Sequence, residues 1–320
     1  MIRDAKLADY VPKFFSNFIF SPMPADIEGF DFYEAQISLF NTTNNISLGY
    51  YGSQQYLNNF RNIFQRIENS ERVELWIEPS LNSHIHSFHM LTLLAKIPNF
   101  QEKLFINFTA DLVGSMTPDR VAQSHENSVL VTDEIFETAA LYWDAYRSPN
   151  PKKWVGLLGK TSGCFPIFEK IHIRFLLQLP LEPTGLRLVD RQILKCVSRG
   201  MDKTSYVLGH VLGNQLDDVL ILTDSAIWDA IFALAAAPNP VIAGMPLETF
   251  DYFSSSKINR TLRKECFDSQ PQLTTYGEAL LNGRGNWVDD NEMNYWWGGT
   301  HITNRSYWSF DPITEKLKEP

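Results

Sequence analysis

Val73-Glu-Leu-Trp-Ile77, then Glu78-Pro-Ser-Leu-Asn-Ser-His84, then Lys103-Leu-Phe-Ile-Asn-Phe108 are the stretches on which the fold turns. The first and last are short apolar runs rich in β-branched and aromatic residues, the pattern of buried strands. Between them, His84 to Ala95 puts Ile85, Phe88, Leu91 and Leu94 or Ala95 on one helical face. Upstream, Ser53 to Ile67 repeats Tyr56, Phe60, Ile63, Phe64 and Ile67 at helical spacing, and Ile37-Ser-Leu-Phe40 is a further apolar run that ends in the turn-forming Asn41–Asn45. Strand, helix, strand, helix, strand predicts an α/β N-terminal domain with a short parallel sheet over residues 1–115.

Beyond residue 115 the texture becomes helical. Thr117 followed by Pro118, and Thr132 followed by Asp133, read as helix starts. Ser148-Pro-Asn-Pro151 stops the second of these helices, and Pro166 to Leu179 is a third amphipathic stretch. Residues 116–183 are therefore expected to be a helical segment packed on the first domain. From Thr184 three helices follow, near Leu188–Arg199, Thr204–Leu212 and Asp224–Ala237, with Gly200 closing the first. Strand material comes after them, so residues 184–320 predict a winged-helix-like α+β domain that ends in aromatic strands.

Composition narrows the function classes. The chain has 320 residues, 44% hydrophobic, and a net charge of -9. That charge disfavours tight, sequence-independent nucleic-acid binding, which requires many phosphate-neutralising cations. Three widely spaced cysteines form no Cys-x-x-Cys pair, which points to reduced thiols and a cytoplasmic location. The most apolar stretch, Ala230 to Leu247, is broken by Pro238, Pro240 and Pro246 and is too interrupted to span a bilayer. Neither a Gly-x-Ser-x-Gly elbow nor a complete phosphate-binding loop is present; Gly156-Leu-Leu-Gly-Lys-Thr-Ser162 lacks the spacing and follows a helix rather than a strand.

In an open parallel sheet, ligands bind beyond the carboxyl ends of the strands. By that rule Asn41, Glu78, His84 and Asp111 are the candidate ligand-binding residues, suited to a small polar ligand. His84, His86 and His89 invite a zinc reading, but only His86 and His89 share a helix face, so neither a metal nor a cofactor is predicted. The basic stretch Lys257, Arg260, Arg263 and Lys264 is the alternative, a wing contact to nucleic acid. Against it, the third helix (Asp224 to Leu234) carries two Asp and no Lys or Arg where a recognition helix needs groove-reading side chains.

The tail supplies the remaining signal. Leu273-Thr-Thr-Tyr-Gly-Glu-Ala-Leu-Leu-Asn-Gly283, Tyr295-Trp-Trp-Gly-Gly-Thr-His301 and Trp308-Ser-Phe-Asp311 join Glu74-Leu-Trp-Ile-Glu78, Ala140–Pro149, Arg174–Pro180, Gly185–Leu194 and Thr223-Asp224 with Trp228. In this order, over about residues 70–311, they resemble a bacterial family catalogued as domain of unknown function eighteen-thirty-five with its C-terminal companion domain. Members of that family open with a strand ending in a Gly-Asp turn, which Met1 is expected to follow. They also carry an acidic run after the Leu-Trp strand, of which only Glu78 remains here. The resemblance therefore implies a binding protein or a catalytically degenerate member. An enzyme acting on a nucleotide-like or phosphorylated small molecule near Glu78 is the alternative, and a transcription-associated DNA-binding factor is the third reading. The tail aromatics themselves are expected to pack as core, their glycines allowing close backbone approach.

Overall fold

A computed structural model describes residues 2–12, 18, 23–24, 27, 31–42, 54–160, 163–216, 218–247 and 260–320. The chain falls into two compact units, the first containing Met1–Asn45, Gly49–His172 and Gly298–Thr300, the second Ile173–Trp297 and His301–Pro320. Among the described residues the architecture is mixed α/β, and no helix is long and apolar enough to cross a membrane.

The first unit opens with helices α1 (Asp31–Thr42) and α2 (Gln54–Glu68). Helix α1 corrects the expectation of a strand at Ile37–Phe40, and Asn41 lies inside it rather than in a turn after a strand. The four-residue apolar run is ambiguous in isolation. Phe32, Tyr33 and Gln36 just before it are buried at helical spacing, and Asp31 and Glu34 favour the helix by occupying its positive first turn.

Strand β1 (Val73–Ile77), helix α3 (Leu81–Leu94) and strand β2 (Leu104–Phe108) then form a parallel crossover unit, with Val73 opposite Leu104 and Ile77 opposite Phe108. Helix α4 (Pro118–His125) starts at Thr117, whose hydroxyl accepts from Arg120 N–H, with Pro118 at the first helical position. Strand β3 (Val129–Leu130) returns antiparallel to β2, so the sheet is mixed, in the order β1-β2-β3. Helices α5 (Asp133–Tyr146), α6 (Lys152–Gly156) and α7 (Phe168–Leu176), the last belonging to this unit through His172, complete it.

The sheet has two unlike faces because side chains alternate along a strand. Ile77, Leu104 and Ile106 point to one face and are buried, and Phe108 meets Phe165 edge-on there at 5.8 Å. Glu74, Trp76, Phe105 and Asn107 occupy the other. Helix α3 is enclosed almost all round, with Leu81, His84, Ile85, Phe88, His89, Met90, Leu91 and Leu94 buried. Its Phe88 stacks on Tyr142 of α5 at 5.5 Å and meets Phe165 and Phe168 edge-on. Such aromatic pairs each add about 1 kcal/mol beyond the area they bury.

In the second unit α8 (Leu188–Ser198), α9 (Thr204–Leu216) and α10 (Asp224–Ala236) pack on one another. Gly200 follows α8 at φ +82°, a left-handed conformation that ends a helix cheaply only for glycine. Strand β4 (Ile242–Ala243) pairs antiparallel with β5 (Gln272–Leu273) across a long connection that contains α11 (Arg260–Asp268). Arg260, Arg263 and Lys264 are thus helical rather than part of an extended wing. The helix is anchored by buried Cys266 and by Phe267, whose ring lies 4.9 Å from that of Trp228. Lys257 lies outside the described residues.

Helices α12 (Thr275–Leu281) and α13 (Trp287–Asp290) and the strand pairs β6 (Asn294–Trp297) with β7 (Thr300–Thr303) and β8 (Ser309–Asp311) with β9 (Lys316–Lys318) finish the chain. The tail aromatics pack as core in part: Tyr295 and Trp296 are half-buried, and Trp296 stacks on exposed His301 at 4.5 Å. Trp297 stacks on Phe175 at 4.2 Å and donates its indole N–H to Phe175 O, while Trp287 and Trp308 are buried. Gly299 has no room for a Cβ, which would collide with Arg147 O.

Three histidines are interior groups of the first unit. His84 donates from Nδ1 to Ser80 O, and His172 from Nε2 to Trp154 O, which leaves a bare ring lone pair on each. His89 stacks on Trp143 at 4.2 Å and shares a hydrogen bond with Tyr33 Oη. Burial holds His84 and His172 down at about 4 and His89 well below the ordinary 6.5. In the unfolded chain each takes up a proton near 6.5, so the stability it confers is whole above that pH and is lost as the pH falls toward 4. Chemical unfolding followed through the methyl resonances of Ile85 and Met90 is expected to weaken by about 1.4 kcal/mol per pH unit for each histidine across this window. The double variant His84→Gln/His172→Gln should retain only about a third of that slope; an unchanged slope would place the acid sensitivity elsewhere.

Candidate functional site

The carboxyl ends of β1 and β2 carry Glu78 and the Thr109–Asp111 turn. Glu78 follows the last residue of β1. Ser80 N–H donates to Glu78 O at 2.7 Å, and Glu78 N–H donates to Ser83 Oγ at 3.0 Å. The Ser80 hydroxyl caps α3 by accepting from Ser83 N–H. These bonds hold the turn at one geometry and place the Glu78 side chain toward the loop after β2, where Oε1 accepts from Val113 N–H at 2.7 Å. Oε2 has no hydrogen-bond partner among the described residues. Partial burial raises the carboxyl above its ordinary value, and the Val113 hydrogen bond pulls it partly back.

Asp111 lies on the facing loop. Thr109 Oγ1 donates to Asp111 O at 2.7 Å, and the Asp111 carboxylate is paired with exposed Arg120 from α4. Glu78 and Asp111 therefore flank one strand-end edge, bridged by the Asp111–Val113 turn. His84 does not join them, and Asn41 belongs to α1 rather than to a strand-end turn. Helix α3 begins at Leu81, three residues earlier than the His84 start read from the sequence, so His84 falls at the fourth helical position and turns inward. Its ring stacks on Phe168 at 5.2 Å. His86 stacks on Phe18 at 4.2 Å, a ring that also lies 5.8 Å from His89, while His84 faces Phe168 instead. Among the described residues no three His, Cys, Asp or Glu side chains converge as metal ligands would. The three cysteines are unbridged.

A second polar cluster, on the outer face of the sheet, is not apparent from the sequence. Asn107 is 1% exposed; its amide donates to Glu74 Oε1 at 3.2 Å and to Ser124 O at 2.7 Å, and its Oδ1 accepts from Ser124 Oγ at 2.8 Å. His125 Nδ1 donates to Glu74 Oε2 at 2.8 Å, and Nε2 has no hydrogen-bond partner among the described residues. Arg72 lies over the Phe105 ring at 3.5 Å and donates to Ser128 Oγ. The only sequence cue is an Asn and a Glu at alternate positions of otherwise apolar strands. Each breaks the pattern where the strand faces α4.

This arrangement can orient an imidazole and offer one uncommitted carboxylate oxygen at the sheet edge. Glu74 and Glu78 do not form a two-carboxylate catalytic pair. Four residues of extended chain set Glu74 and Glu78 about 13 Å apart, beyond the roughly 5–10 Å that acid–base glycosidic cleavage uses. The chain matches no known family model, no curated protein and no solved structure.

Two measurements check this geometry. Because the folded Glu78 carboxyl sits above its ordinary 4.5, its contribution to stability is present below that pH and is lost as the pH rises through the folded value. Glu78→Gln keeps an acceptor for Val113 N–H, so its melting temperature relative to wild type should rise between pH 4 and pH 7; a pH-independent difference would contradict the burial argument. Asn107→Leu leaves Glu74 and Ser124 without their buried partner and should cost about 2–4 kcal/mol in urea unfolding. A loss below about 0.5 kcal/mol would show that the cluster is solvated rather than structural.

Proposed function

We propose that the protein is a binding protein, or a catalytically degenerate member of the family it resembles, that takes a small polar ligand at the carboxyl edge of β1 and β2. The observation that carries this reading is Glu78. It is partly desolvated, fixed by Val113 N–H through one oxygen, and free at the other. A carboxylate in that state selects a ligand that donates a hydrogen bond, such as a hydroxyl or an amine. The Pro79–His84 stretch supplies capping and core groups where the family's acidic run supplies carboxylates, which favours binding over catalysis.

An enzymatic reading acting on a nucleotide-like or phosphorylated molecule draws support from one specific feature, the His125 imidazole oriented by Glu74 with its Nε2 unused. The two readings separate by mutation. A thermal-shift screen of polar metabolites and nucleotides is expected to yield a stabilising compound whose effect is lost in Glu78→Ala and kept in His125→Gln. Turnover of a screened compound that is abolished by His125→Gln would favour the enzyme, and identical shifts in wild type and Glu78→Ala would end the Glu78 reading.

For the C-terminal region we favour a winged-helix-like arrangement used for packing or protein contact. Three helices followed by the antiparallel pair β4–β5 support that order. The exposed positions of α10 are Asp224, Asp229, Ala233 and Ala236, which offer phosphate no cation. Duplex DNA titrated at low salt should show no salt-sensitive binding. Binding abolished by charge reversal of Arg260 and Arg263 would overturn this.

A further inference from the structure

A separate feature of the first unit lies on the solvent side of α2. Phe60, Ile63, Phe64 and Ile67 bury one face of this helix. The opposite face presents Asn62, Gln65, Arg66 and Asn69, at the i, i+3, i+4 and i+7 positions that align along a helix. With Tyr10 and Ser70 these residues line an open groove of about 550 Å³, within the size range of small-molecule sites. Tyr10 is held beside the helix by the N-terminal segment, where Arg3 Nη2 donates to Val11 O at 2.9 Å and the Arg3–Lys6 turn is closed by Lys6 N–H donating to Arg3 O.

The chemistry of the lining is one-sided. It contains no carboxylate, although the chain carries a net charge of -9. Arg66 forms no ion pair with a described residue, whereas neighbouring Arg61 pairs with Glu34 and Arg72 approaches Glu74. Its guanidinium lies over the Tyr10 ring, 4.5 Å from the centroid. Beyond that contact the Arg66 guanidinium has no hydrogen-bond partner among the described residues, and its paired N–H groups are of the kind that recognise oxyanions. The side-chain amides of Asn62 and Gln65 and the Tyr10 hydroxyl have no hydrogen-bond partner among the described residues. Asn69 is only half used, donating from Nδ2 to Gln65 O.

We propose that this groove binds a small oxyanion-bearing molecule, its carboxylate or phosphate on the Arg66 guanidinium and its polar groups on the amides of Asn62 and Gln65. The site is distinct from the Glu78 edge, whose carboxylate selects a hydrogen-bond donor rather than an anion, and the inference stands whether or not that reading holds.

The test is an NMR titration of the full chain at low ionic strength, following the Arg66 Nε–Hε resonance, with inorganic phosphate, succinate and adenosine monophosphate as separate probes at millimolar concentrations. A saturable shift with at least one probe is expected, weakened by chloride. Arg66→Gln should reduce affinity by at least about tenfold, read from the surrounding backbone amides, and Arg66→Lys should recover only part of it because a point charge lacks the paired edge. A response to phosphate and the nucleotide alone identifies a phosphate ligand, and a response to succinate alone a carboxylate. Glu78→Ala should leave each response unchanged. The proposal is overturned if none of the three probes gives a saturable shift, or if the shift persists undiminished in Arg66→Gln while that variant keeps the wild-type amide spectrum elsewhere.

Discussion

The enclosure of α3 is the constraint on which the first unit depends. A helix buried on nearly every side has no solvated face to carry its polar groups. Each such group must be satisfied locally or held neutral. Ser80 spends its hydroxyl on the helix start and its carbonyl on the His84 ring. His84, His89 and His172 sit among Phe, Tyr and Trp rings as neutral imidazoles, each with its tautomer or stacking fixed by one neighbour. The turn that carries Glu78 is the same turn that starts α3. Burial of the helix therefore fixes the geometry of the sheet edge, because Ser83 both enters the helix and accepts the Glu78 N–H.

The two faces of the sheet divide the labour. The face toward α3 is apolar and supplies core. The face toward α4 carries a closed network in which Asn107, 1% exposed, has both ends of its amide occupied. Burying a polar group is costly unless it is fully hydrogen-bonded, and Asn107 meets that condition only because α4 brings Ser124 over β2. The network stabilises the contact between α4 and the sheet, and the same contact leaves His125 with one ring nitrogen unspent. A second network, in the other unit, shows the same economy: Arg187 and Asp190 form a bidentate ion pair at the start of α8 while Asp190 also accepts from Arg187 N–H. Here a charged pair is buried with its hydrogen bonds made locally within one helical turn, which limits the desolvation loss that isolated buried charges suffer.

Much of the secondary structure was legible in the residues. The strand at Val73–Ile77, the helix starts at Thr117 and Thr132, the glycine after α8 and the core role of Trp297 all follow from patterns with a local cause. Apolar alternation, a hydroxyl ahead of a helix and a residue tolerant of positive φ act over a few residues, so they survive in the sequence. Where the reading failed, the cause was equally physical. Ile37–Phe40 is too short for its period to separate helix from strand, and the buried Phe32, Tyr33 and Gln36 decide it. The charges of Arg260, Arg263 and Lys264 suggest an extended wing, yet they belong to a helix that Cys266 and Phe267 bury against the helices of its own unit.

The sequence by itself determined the alternation of apolar and polar residues, the caps, and the position of Glu78 at the end of a strand, because each is written in contiguous residues. Only the tertiary structure decided which candidate groups meet. His84 is taken inward by a helix that begins three residues early, and Asn41 falls within α1. Asp111 comes to the Glu78 edge through the backbone of the next loop, and His125 finds Glu74 across 51 residues of chain. Such meetings depend on how elements pack, and packing is set by surfaces assembled from distant segments rather than by any one stretch of chain.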